Sequence, residues 1–343
     1  MDTRKVQQLG PSTLAMTLPA DWARDHGVEK GDEVSLRPGG EGTLTVMAES
    51  AADEGTEAVL HADDLSAEGL ERALLSQYVL GRRAIHVERE DGVLSSEQIN
   101  AVYGAETKLM GLGVVEETPE NISIRCSVDP DDFTLDNLLE RLENTGSTMR
   151  NEAITGLARD NPDLAQRALN RERQANKIFI LLLRLIFSAY RNPNVARDVG
   201  LESGFPLIGY RSITKNLELA ADSAEDIADI VLDAADDDLD IDAGTMRDIR
   251  EFSEQVDEII ELSVRAAVER DYDLAIEVRG LFHEIDDRER GMLVDLPETN
   301  KKDLLRIREV LVSLHQTAQY AIRNAEIAAN LALDGECEHV SLR

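Results

Sequence analysis

Three acidic residues, Glu218, Asp222 and Asp226, recur at i, i+4 and i+8 in a stretch whose other positions are mostly alanine and leucine. On a helix rising 1.5 Å per residue they share one side and span about 12 Å. Carboxylates at that spacing repel one another unless a cation sits between them, and oxygen donors of this kind suit hard or borderline metal ions. A second account needs no metal. Asp229, Asp233 and Asp236 prolong the stripe, and a solvated acidic face beside the packing residues Leu217, Ala221, Ala224 and Ala228 gives the same spacing. Spacing alone leaves both accounts open. No catalytic constellation competes with them: serine and histidine lack a nucleophile elbow, no GxGxxG follows a strand, and there is no phosphate-cradling loop. A non-enzymatic protein is expected.

Such a stripe needs long helices to carry it. From Asp131 onward strand signals vanish, and the apolar period predicts six helices: Leu135 to Asp160, Pro162 to Arg191, Phe205 to Asp236, Thr245 to Arg270, Asp273 to Leu296 and Lys301 to Leu333. Their lengths, well above the globular mean of about 11 residues, favour bundles of long antiparallel helices. An internal repeat divides them in two. ARDNPDLAQRAL resembles VERDYDLAIEVRGL, with Asp163-Leu164-Ala165 matching Asp273-Leu274-Ala275, and LELAADSAEDIADIV from Leu217 matches LHQTAQYAIRNAEIA from Leu314. The simplest reading is two tandem three-helix bundles, residues 131–238 and 244–335. In the second copy His315, Gln319 and Arg323 stand where Glu218, Asp222 and Asp226 stand in the first.

The amino-terminal half reads differently. Residues 2–50 alternate in short β-like runs punctuated by Gly10, Gly31, Gly39 and Gly40, around one short helix from Pro19 to His26. Four strands and one helix cannot close a core alone, so this head is expected to pair with another copy. After the AESAADEGTE connection, residues 57–128 predict a small α/β module in βαβαββ order: strands near Ala58 to His61 and Ala84 to Arg89, helices from Ser66 to Leu80 and Ser95 to Leu112, then GVVEE and ISIRCSV. Its role is unassigned.

Composition sets the surroundings. The 343 residues hold 68 acids against 36 bases, a formal charge of −32, with 42% hydrophobic residues. A folded chain with acids spread over every segment and little lysine fits a salt-accumulating, halophilic cytoplasm, where ions screen the self-repulsion. Cys126 and Cys337 have neither disulfide nor zinc spacing. The start MDTRKVQQLG is no secretory signal, and the most apolar stretch, Ile178 to Tyr190, contains Arg184 and is too short to cross a bilayer. The expectation is a cytoplasmic protein without membrane insertion.

The head resembles the AbrB/SpoVT-type swapped-hairpin family. RKVQQLGPSTLAMTLPADWARDHGVEKGDEVSL has its β-run, glycine, second β-run, proline-initiated helix and GDEV turn, with Pro19, Trp22, Gly27, Gly31 and Asp32 carrying most of the likeness. The resemblance implies two interleaved chains whose first hairpin faces DNA, with Arg4, Lys5, Gln7, Gln8, Ser12 and Thr13 at the contact positions. Their chemistry suits this, since arginine and lysine release counterions from phosphates and glutamine can read an adenine edge. Leu14, Ala15 and Met16 add no cation to that hairpin. A head serving only for dimerisation is the alternative.

The bundles resemble the PhoU family, whose third helices carry an acidic stripe around a phrase like LERxxDxAxNIAE; here it reads Leu217-Glu218-Leu219-Ala220-Ala221-Asp222-Ser223-Ala224-Glu225-Asp226-Ile227-Ala228. The resemblance implies a metal site at Glu218, Asp222 and Asp226, completed from the second helix by Glu172 and Asn176. In the other copy Arg323 would repel a cation and Gln319 is a poor ligand, so a divalent ion is expected in the first bundle only. His315 reads as a packed or surface histidine, and Glu284, Asp286 and Asp287 as solvated face.

The expected fold is mainly α with an N-terminal β domain: a swapped-hairpin β head, a small α/β module and two tandem three-helix bundles. The combination looks like archaeal regulators of phosphate uptake and phosphate homeostasis. A DNA-binding transcriptional regulator is the first expectation, with DNA and a second copy of itself as partners. The alternative is a non-DNA-binding adaptor that restrains a phosphate transporter ATPase or its sensor by protein contact.

Overall fold

The computed structural model describes residues 3–38, 42–48, 57–201, 204–234, 241–294, 300–334 and 338–341. Gly39, Gly40, most of the AESAADEGTE connection, Asp236 and Cys337 lie outside them. The chain divides into two compact units, Met1–Glu57 and Ala58–Arg343.

The head consists of two antiparallel hairpins around one helix. Strands β1 (Gln7–Gln8) and β2 (Leu14–Ala15) pair with Gln7 opposite Ala15, and the Leu9 amide donates to the Thr13 carbonyl at 3.0 Å to close the turn. Helix α1 (Ala20–Asp25) begins after Pro19, and Gly27 beyond its end takes φ 62°, a left-handed conformation that glycine adopts without a Cβ clash. Strands β3 (Val34–Pro38) and β4 (Leu44–Ala48) form the second hairpin. The expected β-runs of the first hairpin shrink to two residues each. Ala48 is the one fully buried side chain among the described head residues, while Val6, Leu9, Leu14, Leu36 and Leu44 are more than half exposed.

In the larger unit, β5 (Glu57–His61), α2 (Ala67–Val79), β6 (Ala84–Glu88), α3 (Ser96–Lys108), β7 (Leu112–Glu117) and β8 (Asn121–Cys126) build a sheet in the order β5-β6-β8-β7. Alternation along β6 and β8 turns Ile85, Val87, Ile122 and Ile124 toward Leu70, Leu74, Tyr78 and Val102 of the two helices. Ser66 caps α2, and Ser95 with Gln98 forms a capping box on α3.

After a 3-10 turn at Pro130–Asp132 come α4 (Leu135–Arg159), α5 (Pro162–Arg191), α6 (Pro193–Asp198), α7 (Phe205–Ala234), α8 (Ala243–Val268), α9 (Tyr272–Val294) and α10 (Lys301–Ala332). The short α6 was not foreseen. Pro193 cannot continue α5 but suits a helix start, and the Asn192 side chain caps the new turn through the Asn194 amide. The repeat extends to backbone detail. Asp160 and Arg270, each following the first helix of a bundle, both adopt positive φ, 49° and 52°, in equivalent turns before the second helix.

Helices α4, α5 and α7 pack on one another, as do α8, α9 and α10; α7 also packs on α10 and α4 on α8, so one hydrophobic core runs through both triplets. Gly209 permits this approach, because a Cβ there would come within 3.0 Å of Ile327 and 3.2 Å of Leu331. Polar links cross the seam. Buried Arg150 of α4 donates from Nε to Asp257 of α8 at 2.8 Å. Asn216 of α7 donates to Asn324 of α10 at 2.8 Å, and Asn324 reaches Ser263 of α8 at 3.4 Å. The α/β module is held to α5 by arginines: Arg184 Nη1 donates to the Tyr78 carbonyl at 2.6 Å and Nη2 to Gly81 at 3.4 Å, while Arg191 donates to Leu80 at 2.9 Å. These carbonyls end α2, where a helix lacks internal donors and favours positive charge. No helix among the described residues is long and apolar enough to cross a membrane.

Candidate functional site

The acidic stripe lies on α7 against α5. Glu218 is partly buried and ion-paired with Lys215, whose ammonium also stands 5.5 Å above the Phe179 ring of α5. Asp222 is partly buried; burial and the neighbouring Glu218 push its carboxyl up to about 6. Glu172 of α5 acts in the same direction on Asp222, and Asn176 donates to Glu172 at 3.0 Å. Glu172 of the second helix thus lies near Asp222, while Asn176, exposed, reaches Glu172.

Asp226 is the more exposed acid, although burial raises its carboxyl too, and the acid at i+7, Glu225, is partly buried and raised by burial and then by Glu172. Helical period explains the exchange: at 100° per residue, i+7 lies about 20° from the starting side chain and i+8 about 80° away. A strict four-residue spacing points to Asp226 and passes over Glu225. The carboxyls are raised first by burial and second by one another's charge, and Lys215 neutralises part of that charge at Glu218.

The other bundle gathers a different set of side chains. Among the described residues, Asp286, Glu289 and His315 form a group of three potential metal ligands whose donor atoms all lie within 4.8 Å of one another. His315, expected as a packed or surface histidine, packs 6.0 Å from the Phe282 ring with Nδ1 3.0 Å from Glu289 Oε2. Asp286, expected as solvated face, belongs to this group, whereas Asp287 is exposed.

A further acidic cleft of about 320 Å³ lies between α4 and α8, with Glu143, Asp257 and Glu261 in its walls. Burial raises the Glu143 carboxyl above its ordinary range despite the Ser147 hydroxyl, which donates to it at 2.6 Å.

In the head, Arg4, Lys5, Gln7, Gln8, Ser12 and Thr13 are all exposed along the β1–β2 hairpin and the segment leading into it. Gln7 and Gln8, consecutive on β1, point to opposite faces of the hairpin. Glu29 and Asp32 shape the GDEV turn, the Glu29 amide donating to Asp32 at 2.8 Å.

Comparison with known proteins bears on both regions. Residues 139–231 match the PhoU domain family, and residues 7–52 match the family described as antidote-toxin recognition MazE, bacterial antitoxin. A comparison with curated proteins returns no match. Among solved structures, PhoU from Pseudomonas aeruginosa superposes with a TM-score of 0.50 at 19% identity, covering 57% of this chain and 94% of that one. The phosphate transport system regulatory protein PhoU from Streptococcus pneumoniae gives 0.48 at 16% identity, over 57% and 92%. At such identity the first likeness is one of fold. The chain thus joins a MazE/AbrB-like segment at its amino terminus to helices that carry a PhoU domain.

Proposed function

We propose that the chain regulates phosphate uptake and phosphate homeostasis as a DNA-binding transcriptional regulator. The observation that supports this best is the conjunction on one chain of a MazE-type segment and helical bundles of PhoU fold. The exposed residues Arg4, Lys5, Gln7, Gln8, Ser12 and Thr13 have the chemistry for phosphate contacts and base-edge donors. Apolar side chains left uncovered on the head call for a second copy, so the acting species is a homodimer or larger. Glu218, Asp222 and Glu172, with Glu225 added and Asp226 at the margin, are the residues that would hold a divalent ion in the first bundle.

The net charge of −32 favours a second reading, since an acidic body is repelled by DNA. In it the chain is an adaptor that restrains a phosphate transporter ATPase or its sensor by protein contact. A genome-wide occupancy map at high and low phosphate separates the two. Phosphate-dependent occupancy at transporter promoters supports the regulator. Absence of occupancy at both phosphate levels overturns it in favour of the adaptor.

A further inference from the structure

We propose that the cleft between the carboxyl end of α4 and the amino end of α8 binds an oligophosphate anion, free or as the tail of a nucleotide, through Arg159, Arg247 and Arg250. The site uses the first helix of each bundle rather than the helices that carry the acidic stripe, and it is independent of the DNA-binding reading above.

Helix spacing builds one wall. Ala243, Met246, Arg247 and Arg250 recur on α8 at i, i+3, i+4 and i+7 and so share a face near its start. The end of α4 supplies Leu157, Arg159 and Asp160, and the cleft they enclose measures about 440 Å³. That is within the roughly 300–1,000 Å³ typical of small-molecule sites and more than a single phosphate group needs. Leu157, Ile241 and Met246 add apolar lining beside the cations, suited to an organic group attached to the phosphates.

The cleft reverses the sign of the molecule. Acids outnumber bases by 68 to 36 along the chain, yet three arginines and one acid, Asp160, line this space. Arg159 and Arg250 are exposed, and among the described residues neither side chain has an ion pair or a hydrogen bond. Arg247 stands 3.7 Å from Asp248 and 3.9 Å from Glu251, beyond hydrogen-bonding reach. Asp242, which also lies at this end of α8, has its carboxylate engaged by the Gly244 and Thr245 amides at 2.8 and 3.1 Å. A cation in the last turn of α4 suits that helix's negative end, which gives Arg159 a local role. Arg247 and Arg250 lie toward the positive end of α8, where the same field disfavours them.

The repeat provides an internal control. At the offset of 110 residues between the turns at Asp160 and Arg270, buried Leu139, Leu142, Ile154 and Leu157 of α4 fall on buried Ile249, Phe252, Val264 and Ala267 of α8. At the same offset Arg159, Arg247 and Arg250 fall on Glu269, Asn137 and Glu140. Packing positions keep their apolar character across the two copies, whereas these three cations have no cationic counterpart. Pairing of such helices therefore does not require the arginines, and a ligand accounts for them. Each planar guanidinium can hold two phosphate oxygens at once, and three such forks match the several charges of an oligophosphate better than the fewer charges of orthophosphate.

Inorganic pyrophosphate is the probe, titrated calorimetrically into the full chain with a chelator present, so that no metal on the acidic stripe can bridge the anion. The buffer holds the lowest potassium chloride at which circular dichroism shows the native fold, because salt screens the attraction. One equivalent per chain should bind, and orthophosphate should bind at least tenfold more weakly. ADP binding more tightly than pyrophosphate would assign the cleft to a nucleotide, and equal affinity would assign it to free oligophosphate. Arg247→Gln and Arg250→Gln should each weaken binding at least tenfold, and Arg250→Lys, which keeps charge but loses the fork, should fall between. Both positions are exposed, so the fold should persist, and circular dichroism checks it. Changing Arg4 and Lys5 together to alanine should leave pyrophosphate binding unchanged, as should Arg265→Gln elsewhere on α8. Pyrophosphate binding that never appears, that survives the Arg247 and Arg250 changes, or that disappears with Arg4 and Lys5 would overturn the assignment. So would binding seen only after Asp236, Asp237 and Asp238, which precede Ile241 in the sequence, are changed to asparagine, since the anion of the cleft would then be the chain's own.

Discussion

Arg184 gives the sharpest mechanical prediction, because one side chain of α5 holds the carboxyl end of α2. It is buried, bonds the carbonyl of Tyr78 in α2 at 2.6 Å and of Gly81 just beyond it at 3.4 Å, and lies 4.8 Å above the Tyr78 ring. A charged donor contributes about 1.5–3 kcal/mol per good hydrogen bond, with the longer contact at the low end, and the ring contact adds about 1 kcal/mol. Against this stands the cost of burying a guanidinium, visible in a pKa that burial holds below its ordinary value. The net loss in Arg184→Met, which keeps apolar stem but no donor, should be about 2–4 kcal/mol. The loss should be local to the docking seam. Hydrogen exchange at the amides of residues 78–84 should accelerate about thirtyfold for each 2 kcal/mol lost, while amides of α8 and α10 keep their protection. Arg184→Lys, able to reach one carbonyl, should fall between. Unchanged exchange at residues 78–84, or acceleration spread evenly over the chain, would refute the idea that this arginine fastens the module.

Titration of the stripe supplies the next test. Asp222 is raised from 3.8 to about 6, so its folded form holds a proton that the unfolded chain has released, and stability should fall as pH rises from about 4 to about 6. Asp222→Asn should flatten that part of the stability curve measured by urea denaturation and stabilise the protein at pH 7.5; an unchanged slope would count against the burial of this acid. Replacing Arg4 and Lys5 with alanine should lower DNA affinity at every sequence and reduce the salt slope by up to about two units, as fluorescence anisotropy at several salt concentrations would show. Deleting residues 1–50 should weaken self-association in molar salt by sedimentation analysis. An intact chain that is wholly monomeric at micromolar concentration would remove the reason for a paired head.

Long periodic segments were the legible part. The six long helices begin within a few residues of expectation, and four of those starts carry a side-chain cap, from Thr134, Asn161, Asp242 and Asn300. The phrase from Asp163 and its copy from Asp273 marked a repeat that returns as two left-handed turns at Asp160 and Arg270. What failed to show was anything depending on which way a side chain faces across a helix pair. Glu225 outranks Asp226 by angular position, and Asp286 meets His315 only because α9 and α10 are packed at one register. The break at Asn192-Pro193 was visible in the letters, yet whether α6 would form after it depended on local capping.

The Asn216, Asn324 and Ser263 bridge has a consequence for how this molecule could be taken apart. If the two helix triplets were independent beads, each would survive a cut between them. Here the amide of one copy is spoken for by the other, deep in an apolar seam. A polypeptide severed in the 235–240 stretch should therefore yield halves that are sticky alone and reconstitute when mixed, and the half bearing Asn324 should reject a partner in which Asn216 has become leucine.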